Sequence, residues 1–117
     1  MTQPPKSKFL QLFERDQGRC VYCGLDLKAD YDRFMMATED HLVPASVAGK
    51  DRNLENLILS CLVCNRFKSD FVPDPEIDVK VERRKYIAAV RAQIMKKRSE
   101  RLKDFMQVTH PSLADYQ

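Results

Sequence analysis

Apolar positions along the chain come in short clusters separated by polar, turn-forming stretches. Phe9, Leu10, Leu12 and Phe13 give residues 7–17 one broad apolar face at helical spacing, and Gly18 supplies a left-handed residue to end that helix. Arg33 to His41, with Phe34, Met35 and Met36 inside it, reads as a strand whose pairing is stopped by Pro44. Residues 45–55 read as a loop punctuated by Gly49. Asn56 then opens a second strand, filled by Leu57, Ile58 and Leu59 and ended by Cys61. One or two helical turns are predicted from Cys64 to Asp70, before Pro73. Beyond Asp74 the period becomes helical for much longer, through Ile87, Val90 and Ile94 and then less regularly Met95, Leu102, Phe105 and Met106. Asp74-Pro75 offers that helix an N-cap and a first-turn proline, with Asp78 as a rival cap.

The predicted order is therefore helix, turn, hairpin, short helix, long helix, a small α+β arrangement. At 117 residues without tryptophan, the chain has room for one modest core and gains from a metal staple. Cysteine placement supplies one. Cys20-Val21-Tyr22-Cys23 and Cys61-Leu62-Val63-Cys64 are two knuckles whose four thiolates match a closed tetrahedral zinc site. Such a zinc is structural, since four protein ligands leave no open position for water or substrate. The competing assignments are two disulfides, which belong mostly to secreted proteins, and an iron site for electron transfer, which would colour the purified protein red.

Charge refines the division of the chain. Residues 1–75 carry ten basic against eleven acidic side chains, and residues 76–104 carry ten against five. The basic excess belongs to the long helix, where it attracts polyanions or simply forms a solvated face. Two parts are expected: a knuckle-bearing core over 1–75, and a basic amphipathic helix with a loose tail over 76–117 packed on it. No segment pairs a basic stretch with an apolar run and a small-residue cleavage site, and no apolar run approaches membrane-spanning length. The expected location is the cytoplasm, with no membrane partner.

Several spaced elements then agree in order: Cys20-x-x-Cys23-Gly24, Glu39-Asp40-His41-Leu42-Val43-Pro44-Ala45-Ser46, Asn56-Leu57, and Cys61-x-x-Cys64-Asn65-x-x-Lys68. Residues 18–72 resemble an HNH endonuclease of the zinc-bound type. The resemblance implies a ββα-metal finger in which a hairpin and a helix gather around one divalent cation, with DNA as substrate. It makes His41 the general base, a role that suits an imidazole, since unperturbed imidazole titrates near ~6.5. Asn56 would orient that base or brace the loop. Asp40 and Asn65 would offer oxygen ligands to a catalytic Mg²⁺ or Mn²⁺, beside the structural Zn²⁺. Adjacent strand residues point to opposite faces, so Asp40 and His41 share a site only if the strand breaks there. Lys50, Arg52, Arg66 and Lys68 are the candidate phosphate contacts; each is otherwise ordinary surface charge. His110, before Pro111, is read as solvent-facing. Ala48-Gly49 stands where many members of the family have two glycines.

The same residues admit a non-catalytic zinc module for nucleic acid or protein, which needs only the cysteines. They also admit a nuclease acting inside a larger complex. Cutting both strands would call for a homodimer or two successive nicks, with the long helix as the interface.

Overall fold

The computed structural model describes residues 4–49 and 51–111. The first helix, α1 (Lys8–Arg15), starts where the Ser7 hydroxyl accepts the Leu10 N–H at 3.1 Å. It ends at Arg15, earlier than expected, and the chain turns away through two left-handed residues, Gln17 at φ +59° and Gly18 at φ +64°, with the Gly18 N–H reaching the Phe13 carbonyl at 2.8 Å. The first knuckle follows as a tight turn. Gly24 N–H closes onto the Cys20 carbonyl at 2.8 Å, and Cys20 N–H onto that of Leu25 at 3.0 Å.

Residues 33–36 differ from the strand expected of them. Asp30 caps a short helix, α2 (Tyr31–Met35), by accepting the Arg33 N–H at 2.7 Å. Local capping outweighs the apolar run here because Phe34 finds aromatic partners from the helix: its ring lies 5.9 Å from that of Phe9 and 5.5 Å from that of Phe13. Strand β1 is thus Ala37–His41, paired antiparallel with β2 (Leu57–Cys61), Ala37 facing Cys61 and His41 facing Leu57. All five residues of β2 are buried. Its outer edge is occupied as well, with Leu59 N–H bonded to Asp16 Oδ2 and the Leu59 carbonyl to Val21 N–H, both at 2.9 Å.

Between the strands, the expected loop contains a single helical turn after Pro44, α3 (Ala45–Ala48), and a 3₁₀ turn at Leu54–Asn56. Helix α4 (Leu62–Lys68) starts two residues before the predicted Cys64, because Cys61 Sγ serves as its cap and accepts the Cys64 N–H.

The long helix, α5 (Arg83–Thr109), begins later than Asp74 or Asp78 would set it. Each aspartate instead closes a local turn: Asp74 Oδ1 accepts the Glu76 N–H and Asp78 Oδ1 the Lys80 N–H, both at 2.9 Å. Tyr86, Val90 and Ile94, at i, i+4 and i+8, enter the core with Leu12, Leu27, Leu42, Leu57 and Leu59. Leu102, Phe105 and Met106 are exposed, so the apolar stripe of α5 packs only over its first half. His110 is exposed, and the end of the expected loose tail lies outside the described residues. No described helix is long and apolar enough to cross a membrane.

Candidate metal centre and nuclease site

The knuckles meet. Cys20 and Cys23 come from the turn after α1, Cys61 from the end of β2 and Cys64 from the first turn of α4, and their sulfurs all lie within 4.8 Å of one another. The cysteines are free, and three of the four are buried. Hydrogen bonds from Cys61 and Cys64 hold the Cys20 thiol far below its ordinary range, while Cys64, facing that thiolate, is pushed far up. Without a cation the cluster therefore resists full ionisation. Four soft, closely set sulfurs fit one Zn²⁺, which removes that resistance by binding them all as thiolates. Among the described residues, these cysteines are the group of His, Cys, Asp and Glu side chains arranged for a metal ion.

The first knuckle also reaches into the sheet. Tyr22, between its two cysteines, donates its hydroxyl to Asp40 Oδ2 at 2.7 Å, and Lys68 Nζ from the end of α4 lies 3.3 Å from Asp40 Oδ1. Lys68 donates as well to the His41 carbonyl at 2.7 Å. Asp40 is 4% exposed and Lys68 1%. Burial pushes the Asp40 carboxyl above the usual carboxylate range, with the Lys68 ammonium and the Tyr22 hydroxyl pulling the other way. Burial, then the Asp40 charge, raises the Tyr22 phenol far above its ordinary value, which keeps it a hydrogen-bond donor. The sequence gives no cue to this role for Tyr22, because its side chain meets Asp40 only once the knuckle is folded.

Asn65 lies on the same side of the hairpin. Thr38 spends its hydroxyl proton on the Ser60 carbonyl at 2.8 Å, so at 3.1 Å it must accept from the Asn65 amide nitrogen. That fixes the amide orientation and leaves Asn65 Oδ1 as the oxygen without a partner among the described residues. The ladder runs unbroken through His41, so the strand break that would put Asp40 and His41 on one face is not found. His41 Nε2 is buried with no hydrogen-bond partner among the described residues. Beyond it, Asn56 ties down the returning loop: Oδ1 accepts the Val43 N–H at 3.0 Å, and Nδ2 donates to the Asp51 carbonyl at 3.1 Å.

Residues 20–71 match the family model described as HNH endonuclease. This stretch is an HNH-family domain. The assignment places it among nuclease-type domains that act on nucleic acid, and it covers the hairpin, α4 and all four cysteines. No solved structure matches the chain. Helices α1 and α5 lie outside the matched residues and pack against the HNH domain from both ends of the sequence.

The expected phosphate contacts fall in different places around the HNH domain. Arg66 is exposed on α4. Arg52 is exposed and holds Glu39 Oε2 at 2.9 Å. Lys50 lies outside the described residues. Lys68 is a correction: enclosed against Asp40 and the His41 carbonyl, its ammonium has no surface to offer a phosphate. Part of the basic charge of α5 is committed to backbone carbonyls. Arg83 donates to the Glu55 carbonyl, Arg91 to the Val21 and Tyr22 carbonyls, and Lys97 to that of Phe67.

Proposed function

We propose that the HNH domain hydrolyses DNA phosphodiesters, with His41 as general base. One observation carries this reading: His41 Nε2 is a buried ring nitrogen without a hydrogen-bond partner among the described residues. A buried polar atom in that state costs about 1–3 kcal/mol, a cost the fold accepts where the partner arrives from outside. In this reading His41 accepts a proton from water as the water oxygen bonds to phosphorus. The P–O3′ bond breaks, the departing 3′ oxygen takes a proton from solvent water, and a 5′-phosphate and a 3′-hydroxyl are left. The backbone at His41 is held for this by Lys68 on its own carbonyl and by Asn56 on the segment that follows. Asp40 and Asn65 Oδ1 are the oxygen donors this reading assigns to a hard divalent cation, Mg²⁺ or Mn²⁺, which would stabilise the phosphate electrostatically. For that ion and His41 to serve one phosphate, β1 must open at His41 and Asp40 must exchange Lys68 or Tyr22 for the ion. Arg52 and Arg66 are the exposed cations that would meet flanking phosphates.

A second reading, a zinc-bound module that holds nucleic acid or protein without cutting, draws on Asp40. Both of its oxygens already have partners, and one partner is a cation. Supercoiled plasmid incubated with Mg²⁺ or Mn²⁺ separates the two readings. Nuclease action predicts relaxation by the unaltered protein and its loss in His41→Ala at full zinc content, with Asn65→Ala weakening only the divalent-dependent cutting. Equal plasmid profiles for the unaltered protein and His41→Ala would leave the binding module standing.

A further inference from the structure

A Zn²⁺ held by four thiolates carries a net charge of −2, set here among largely buried groups. Helix α5 brings a counter-charge to it. Arg98 Nη1 lies 3.2 Å from Cys64 Sγ, within hydrogen-bond reach of a sulfur that the metal would hold as thiolate. The contact does not stand alone on that helix. Two turns earlier, Arg91 Nε donates to the Tyr22 carbonyl at 2.9 Å and Nη2 to the Val21 carbonyl at 2.6 Å, gripping the first knuckle between its cysteines. Lys97 Nζ donates to the Phe67 carbonyl at 3.0 Å, on the helix that carries Cys64. One face of α5 thus fastens both knuckles, although α5 lies outside the residues that match the HNH family.

We propose that Arg98 is an outer-sphere partner of the structural zinc and that α5 is the element that retains the metal. The chemistry follows from charge. A guanidinium bonded to a thiolate offsets part of the excess negative charge, restrains the sulfur and disfavours its exchange for solvent. Partners of this kind commonly contribute 10–100-fold in metal affinity. The centre is not sealed: a cleft of about 530 Å³ borders it, lined by Cys23, Gly24, Asp26, Met36, Cys61 and Arg98. Arg98 therefore stands where a competing chelator would approach. The inference requires only that zinc binds, and is independent of whether His41 cuts DNA.

The test uses the zinc-loaded 117-residue chain and measures zinc transfer to a chromogenic chelator. Arg98→Met should release zinc at least about 10-fold faster than the unaltered protein. Arg101→Met, which removes a guanidinium paired with Asp104 further along the helix, should not change the rate. With Co²⁺ in place of zinc, Arg98→Met should move the sulfur-to-cobalt charge-transfer band to longer wavelength, because an unbonded thiolate holds its electrons less tightly. A purely structural role for Arg98 would leave that band in place. Release from Arg98→Met at the unaltered rate overturns the proposal. Should Arg98→Met fail to fold, Arg98→Gln decides: faster release supports the role of the charge, and unchanged release overturns it.

Discussion

Asp40 and Lys68 form a nearly dehydrated ion pair in which each partner also bonds elsewhere, Asp40 to Tyr22 and Lys68 to the His41 carbonyl. Removing one charge strands the other. Lys68→Met should therefore cost about 3–5 kcal/mol in urea unfolding of the zinc-loaded protein. The double change Asp40→Asn with Lys68→Met should recover much of that loss, because no lone charge then remains inside. If the double variant is no more stable than Lys68→Met alone, the pair is not the source of the effect. The metal centre was legible at this scale, because the Cys-x-x-Cys spacing has a chemical meaning independent of fold. The roles of Asp40, His41 and Asn65 rest on the resemblance and belong to the proposed function. Lys68 was misplaced because its position in sequence resembles that of a surface cation, and only the packing of α4 on β1 reveals that its ammonium is enclosed. Tyr22 and Arg98 were illegible for a related reason, since each acts on a residue 18 and 34 positions away respectively.

Element by element, the chain is read best where periodicity and capping agree. In α1 the apolar spacing and the Ser7 cap specify the same helix, while its end falls at Arg15, before the left-handed pair Gln17 and Gly18. Periodicity and capping disagree at residues 31–36, where three consecutive apolar side chains suggest a strand while Asp30 caps a helical turn, and the aromatic contacts with α1 decide the outcome. Aspartate was ambiguous in the opposite sense at 74 and 78, where a helix cap and an isolated turn use the same side-chain bond. Gly18 gives the sharpest test of an element boundary. Its φ is positive, and an added Cβ would stand 2.9 Å from the Phe13 ring. Gly18→Ala should destabilise by more than about 1 kcal/mol, seen as a lowered urea midpoint with unchanged slope. An unchanged midpoint would show that the turn relaxes without cost.

Across the whole molecule, the division at residue 75 does not correspond to separate cores, since Tyr86, Val90 and Ile94 share a single core with α1 and β2. Tyr86 also donates to the Leu42 carbonyl at 3.0 Å, just beyond His41. Ending the chain at residue 82 should consequently unfold residues 1–75 even with zinc supplied, which loss of far-ultraviolet circular dichroism would report. A folded truncated chain would instead show that α5 is dispensable to the core. Metal and core are linked in the same way. Zinc binding contributes on the order of 10 kcal/mol in comparable small sites, so Cys61→Ser should unfold the domain. A two-stranded sheet would ordinarily present open rims to neighbouring molecules, yet the Leu59 amide and carbonyl are both spent within the chain, on Asp16 and Val21. On that side the hairpin cannot recruit a third strand, so crowding during synthesis finds no template there for cross-β association.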